Sequence, residues 1–361
     1  MRIERLELVP YSLAFREPYV TARGRLDRRD LLLIRLRSSG GPDGLGEAAP
    51  LALRGGPSLE GIAHELRALC APVIEGAKLT PSTLPNLIAV CAARGVSRQA
   101  LAGIDMGLHD LAGKVEGEPV WRLLGAQAEQ PVPCNATLPA GEPSFVAERA
   151  SRWAEMGFTT FKLKVGSGQD TAQAVAVRDA VGPGARIRID ANGTWSVAEA
   201  VETLSRLEQV GIELAEEPAP DLQGMAEVRR SCRVPVAADE SVVSAEDAAR
   251  AVELGACEVA TVKLAKVGGL AAGLEVAREI PCYLSSALDG PVGIAAAAHL
   301  AQLMPRPGLA GRLAHGLATG ELFGDTIAAS GPVLRDAALR PGDEPGLGVE
   351  VDELALRRHR L

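Results

Sequence analysis

The chain has 361 residues, with 38 basic and 46 acidic side chains and a formal charge of -8. That balance argues against nucleic acid or an anionic membrane surface as a partner, because both need a basic face, and it does not oppose a divalent cation. The length exceeds one compact domain by the usual measure, so a large barrel with a smaller partner domain is expected.

Aromatic residues make up only 3% of the chain, so the core must be built from Ala, Val, Leu and Ile. Cys70, Cys91, Cys134, Cys232, Cys257 and Cys282 are scattered without a CxxC pair, which fits reduced, mostly buried thiols in a cytoplasmic protein. The first residues mix both charges and lack the apolar stretch of a signal peptide. The apolar run from Ile294 to Met304 is broken by His299 and Gln302 and is too short to span a bilayer.

Arg2–Val9 and Asp30–Arg37 alternate as an antiparallel strand pair, with a turn-rich excursion from Pro18 to Asp27 between them. From Ser58 to Leu124 the period becomes helical, and Ser97 is placed to cap the helix that follows it. These elements predict an α+β domain over residues 1–125, completed by residues from about 320 to 361. From Val132 onward, short apolar strands alternate with amphipathic helices. Strands are expected near 132–138, 160–165, 186–190, 213–217, 234–239, 258–264, 281–286 and 310–316, with helices such as Ser196–Val210 and Ser244–Leu254 between them. Eight such units and no Gly-rich loop after the first strand favour a (β/α) barrel over residues 126–319 rather than an open dinucleotide-binding sheet. Gly346–Asp352 reads as a last strand returning to the N-terminal sheet.

Lys164, Asp190, Glu216, Asp239 and Lys263 recur at steps of about 25 residues, one strand–helix unit apart, each at the end of an expected strand. The C-terminal strand ends of a barrel share one mouth, so these five side chains converge there. Asp190, Glu216 and Asp239 have no His or Cys among them. That donor set suits a hard cation, Mg2+ first and Mn2+ as an alternative. An acid at any one strand end is ordinary; three in succession, flanked by lysine-bearing strands, are not. Asn192, Glu217 and Glu240 adjoin the ligands and are candidates to orient them, as against facing solvent.

Lys162 and Lys164 are two apart and share a strand face. Two lysines pointing into a barrel are costly without a role, and a like charge beside a metal can keep one of them neutral as a base. Lys263 arrives from the far side of the acids, so the two amines could address both faces of one carbon acid; Lys266 competes for that place. Backbone N–H groups of Ser285, Ser286 and Ala287 are candidates to hold a substrate carboxylate. Arg23 and Arg25 could lie over the mouth and meet an anionic substrate. His299 reads as a core histidine, and His315 stands at the eighth strand end with its role open.

On these residues the chain resembles the enolase superfamily, in its muconate-lactonising subgroup. The motifs are Gly46-Glu-Ala-Ala-Pro50, Leu108–Ala112, Pro119–Gly125, Lys162-x-Lys164, Asp190-Ala-Asn192, Glu216-Glu217-Pro218, Ala238-Asp239-Glu240-Ser241 and Lys263. The resemblance implies an N-terminal α+β capping domain on a modified (β/α)7β TIM-type barrel. It also implies Mg2+ on Asp190, Glu216 and Asp239, and proton abstraction alpha to a carboxylate with Lys164 and Lys263 on opposite faces. Val132–Thr137 and Ser285–Gly293 are similar to o-succinylbenzoate synthases, lyases of menaquinone synthesis that dehydrate a cyclohexadiene carboxylate. There Lys164 would remove the proton and then protonate the departing hydroxyl, with Lys162 in support.

Two features depart from that pattern. Glu217 stands where many relatives carry Gln, and Gly316–Asp325 is as similar to dipeptide epimerases or N-acylamino-acid racemases. No Asp-x-Asp pair, which would hold a dipeptide amine, lies near the last barrel strand. The partner expected is a small carboxylate; self-association is left open, and a non-catalytic scaffold barrel is the remote alternative.

Overall fold

The computed structural model describes residues 1–51, 55–166, 168–304 and 308–361. Ile3–Thr21 and Gly24–Ser38 form one long antiparallel hairpin, and Gly44–Ala48 adds a third strand. The segment expected as a turn-rich excursion is strand: after a register shift between Ala14 and Tyr19, pairing resumes at Tyr19 with Leu26 and ends at Thr21 with Gly24. Such a shift lets the far end of a hairpin bend away from its sheet.

Helix Arg98–Glu116 packs across this sheet. Ser97 Oγ accepts from Ala100 N, as expected, and Gly117 (φ 72) ends the helix. The approach is so close that a Cβ at Gly46 would stand 2.0 Å from Gly103 O and 2.9 Å from Gly107 N. Both neighbours are backbone and cannot rotate aside. Gly46→Ala is expected to cost about 3 kcal/mol, read as a lower urea midpoint than that of the parent.

Seven parallel strands lie side by side in chain order: Ala136–Leu138, Thr160–Lys164, Arg186–Asp190, Ile212–Glu216, Val236–Ala238, Val259–Val262 and Cys282–Leu284. Helices follow the strands on the outside, and local chemistry sets their ends. Val197–Leu207 begins with a reciprocal Ser196–Glu199 capping box, and Ala245–Leu254 runs from a Ser244 cap to Gly255 (φ 61).

Three expectations need correction. The eighth strand, placed at 310–316, is a 3-10 turn at Ala310–Arg312 followed by two isolated parallel bridges, His315 with Cys134 and Gly316 with Ser285. These bridges close the ring, and the carbonyl of neighbouring Ala314 is taken by Arg188 Nη1 at 2.6 Å rather than by a ladder. The first strand, placed at 132–138, divides. Val132–Pro133 pairs with Ala338–Arg340 outside the barrel, an edge position that suits a proline, and only Ala136–Leu138 joins the ring. Glu350–Val351 pairs with Ala328–Ser330, not with the N-terminal sheet; that sheet is met instead by bridges from Phe323 and Arg360.

One apolar cluster runs through the barrel wall and its helices, and a second lies beneath the N-terminal helices. Among the described residues no helix is long and apolar enough to cross a membrane. The cysteines are free thiols, buried except for the half-buried Cys232.

His299 is fully buried, and its Nδ1 accepts from Trp121 N at 3.1 Å. Burial pulls its pKa down to about 4. The unfolded histidine takes a proton near pH 6.5, so between there and pH 4 the unfolded state binds more protons and stability falls as pH falls. His299→Gln is expected to narrow the loss of stability between pH 7 and pH 5, measured by urea unfolding at each.

Candidate active site

Strand register builds the site first. Lys164 lies opposite Asp190, and Asp190 opposite Glu216, on adjacent strands. Asp239 and Lys263 each stand one residue past the ends of Val236–Ala238 and Val259–Val262. Alternation sends Leu163, Ile189, Ala215, Ala238 and Val262 outward into the main apolar cluster, so their polar neighbours must point inward. All five are buried.

The three acids meet. One carboxylate oxygen from each of Asp190, Glu216 and Asp239 lies within 4.8 Å of the others. Three hard oxygen donors converging on one buried point fit the Mg2+ site of enolase-superfamily proteins. Lys162 Nζ lies 2.9 Å from Asp190 Oδ2 and 2.6 Å from Glu216 Oε2. Lys164 Nζ donates to Asp190 Oδ2 at 2.5 Å, and Lys263 Nζ donates to Asp239 Oδ2 on the far side. Lys266 is tied to three protein acceptors, Asp239 Oδ1 at 2.9 Å, Thr261 O at 2.7 Å and Asp239 O.

Burial opposes every one of these charges, and the neighbours decide the outcome. For Lys162, Asp190 and Glu216 overcome burial and hold the amine well above its usual value. For Lys164, burial wins over the pull of Asp190 with help from the Lys162 and Lys263 charges, and the amine falls to about 8. An amine in that range can give up and regain a proton near neutrality. Asp190 is buried too, but Lys162, Lys164 and Lys263 hold it far below the usual carboxylate range.

The residues flanking the ligands are also gathered in. Asn192 Oδ1 accepts from Lys164 Nζ at 3.3 Å, and its Nδ2 donates to Glu240 Oε1 at 3.0 Å. Glu217 does not face solvent. Its carboxylate accepts from Asp239 N at 2.6 Å and Ser241 N at 3.0 Å, fixing the turn that carries Asp239. Burial raises Glu217 to about 7.

Ser285, Ser286 and Ala287 line the mouth, but their N–H groups are already engaged: Ser285 N donates to Val262 O, Ser286 N to Gly316 O and Ala287 N to Asp289 Oδ2. The expectation that these groups hold a substrate carboxylate is therefore not met. Arg23 lines the mouth and donates to Asn192 O, whereas Arg25 pairs with Asp27 in the open. His315 closes the ring through its backbone, and its Nδ1 accepts from Leu284 N at 3.0 Å.

One contact escaped the sequence reading. Tyr283 Oη donates to Glu216 Oε2 at 2.7 Å from beneath the site. Tyr283 stands two residues before Ser285 on an inward register, so alternation alone could have found it. Above the acids opens a cavity of about 820 Å³ whose wall includes Tyr19, Leu26, Arg29, Leu51, Arg98 and Leu288.

Comparison with known proteins agrees with this geometry. Residues 5–125 match the family described as mandelate racemase / muconate lactonizing enzyme, N-terminal domain, and residues 145–355 match the enolase C-terminal domain-like family. The fold superposes on muconate lactonizing enzyme from Pseudomonas fluorescens with a TM-score of 0.93 at 30% identity, covering 100% of this chain and 99% of that one. A hydrophobic dipeptide epimerase from Enterococcus faecalis is 30% identical over 97% of this chain and 99% of its own. The o-succinylbenzoate synthase of Thermobifida fusca is 42% identical, over 50% of this chain and 58% of its own. With its acid triad and both family domains in place, the chain belongs to the enolase superfamily, in the mandelate racemase / muconate lactonizing enzyme family.

Proposed function

We propose that this enzyme is a cytoplasmic lyase that dehydrates a cyclohexadiene carboxylate to o-succinylbenzoate. The observation that carries this choice is the charge of the cavity wall. Among the described lining residues the acids are Asp239 and Glu240, both at the metal site, while the N-terminal domain contributes Arg23, Arg29 and Arg98 to the same wall. A dipeptide's ammonium would need an acid remote from the metal; a succinyl chain ending in a carboxylate needs cations there. The identity with the Thermobifida fusca synthase, though confined to half the chain, points the same way.

In this reading Asp190, Glu216 and Asp239 hold Mg2+, which supplies positive charge against the substrate carboxylate as negative charge builds there. Lys164 takes the alpha proton and returns it to the hydroxyl that leaves as water. Lys263 faces the developing anion as a cation. Lys162 balances Asp190 and Glu216, and Asn192 and Glu240 orient Lys164 from the side. The fold is divided into a capping domain over 1–125, completed by about 320–361, and a barrel over 126–319.

A second reading is favoured by the placement of Lys164 and Lys263 at ligands on opposite sides of the triad. Two such amines could exchange the alpha proton of an N-acylated amino acid from either face. Incubating purified protein with Mg2+ and the cyclohexadiene carboxylate, then with an N-succinyl amino acid and a dipeptide panel in D2O, separates the readings. A new near-ultraviolet aromatic product supports the lyase. Deuterium at the alpha carbon of recovered acylamino acid, with no aromatic product, replaces it by the racemase.

A further inference from the structure

Asn192 (φ 50) and Leu288 (φ 63) adopt left-handed backbone at the barrel mouth although neither is glycine. Asparagine tolerates that conformation, but a bulky residue such as leucine is disfavoured in it, so at Leu288 the surroundings must enforce it. Both are held by arginines of one hairpin. Arg23, at its tip, donates from Nε (3.1 Å) and Nη2 (2.6 Å) to Asn192 O. Arg29, on its second arm, donates from Nε to Leu288 O (3.1 Å) and from Nη2 to Ala287 O (2.9 Å). A guanidinium presents several donors in one plane and can fix a peptide carbonyl in a way a lysine amine cannot.

What hangs on each carbonyl differs. Behind Asn192 O lies the side chain that accepts from Lys164 and donates to Glu240. Behind Leu288 O lies the cavity wall from Ser285 to Leu288. The same N-terminal sheet grips the second turn again, because Gly290 N donates to Glu47 Oε1 (2.6 Å) and Tyr11 Oη donates to Glu47 Oε2 (2.7 Å). The turn lies close against those side chains: a Cβ at Gly290 would stand 2.2 Å from Tyr11 Oη and 2.6 Å from Glu47 Oε2, and both would have to shift.

We propose that Arg23 and Arg29 are positioning residues, by which the hairpin clamps two left-handed turns and so sets the base on one side of the mouth and the substrate wall on the other. The role assigned to the Arg23 side rests on Lys164 being the base. Neither arginine touches the reacting atoms, and their effects divide. Arg23→Gln is expected to lower kcat about tenfold with KM shifted less than about threefold, since it loosens Asn192 beside Lys164. Arg29→Gln is expected to raise KM about tenfold with kcat little changed, since it loosens the wall. Glycine at 288 removes the backbone cost, so Arg29→Gln should lose most of its effect in a Leu288→Gly background.

Amide hydrogen exchange supplies a readout that does not depend on turnover. Arg23→Gln should speed exchange at residues 191–194 alone, and Arg29→Gln at 287–290 alone. If Arg29→Gln does not fold, Arg29→Lys, which keeps the charge but loses the two-pronged donation, takes its place. The clamp is overturned if both variants alter kcat and KM in parallel, if the Arg29 effect is undiminished with glycine at 288, or if exchange at the two turns is unchanged. Parent protein that turns over no carboxylate, yet shows the two localised exchange changes, overturns the proposed reaction and leaves the clamp standing.

Discussion

Lys164→Ala is expected to lower turnover by about 10²–10⁴-fold, the range for losing a positioned acid–base group, while Mg2+ binding is retained. The Lys164 amine sits 2.5 Å from Asp190 Oδ2 inside the barrel, where no described side chain other than Lys162 brings a second amine to that carboxylate. Lys162 cannot substitute: it is shared between Asp190 and Glu216, which hold its proton firmly. Removing a cation beside a ligand should if anything favour the metal, so calorimetric titration with Mg2+ separates loss of chemistry from loss of the site. Lys263→Ala should be similarly inactive. A Lys164→Ala protein keeping more than about a tenth of parental activity would remove this residue from the proton-transfer step. Ligand binding that survives both substitutions, in a parent with no turnover, would favour a scaffold.

Asp239→Asn is expected to weaken Mg2+ binding by about 100-fold or more and also to destabilise the fold. The two losses have separate origins. One third of the ligand charge disappears from a site made only of carboxylates. Asp239 is also the counter-charge of two buried lysines, Lys263 on Oδ2 and Lys266 on Oδ1. Leaving a buried charge without its partner costs about 3–5 kcal/mol. A second change, Lys266→Met, should recover part of the stability and none of the Mg2+ affinity. Urea unfolding and calorimetry on the single and double variants check both halves. Recovery of metal binding in the double variant would mean that Asp239 acts on the cation only through packing. Chelation should abolish turnover of the parent, and added Mg2+ should restore it.

The five inward side chains were legible because a parallel barrel repeats itself. Strand–helix units of similar length bring successive strand ends to one rim, and alternation decides which residue at each end faces in. Lys164, Asp190, Glu216, Asp239 and Lys263 could thus be placed from spacing alone, and pairing of Lys164 with Asp190 and of Asp190 with Glu216 agrees with that placement. Caps were equally local: Ser97, Ser196 and Ser244 each bond an amide within the next turn.

Long-range contacts were not legible. Whether the Ser285–Ala287 amides were free depended on Val262 of the neighbouring strand, on Gly316 where the ring closes, and on Asp289 in the turn that follows. The eighth place was misread as a strand because its pairing is two bridges, with Arg188 reaching Ala314 from across the barrel. Arg23 stands out in the sequence only as a loop cation that could meet an anionic substrate, and no local pattern marks Arg29, yet both bond carbonyls, at Asn192 and Leu288, far along the chain. Periodicity carries information about a residue's own strand or helix. Which donor meets which acceptor between elements distant in sequence is decided only when the elements pack, because there a buried polar group without a partner is costly.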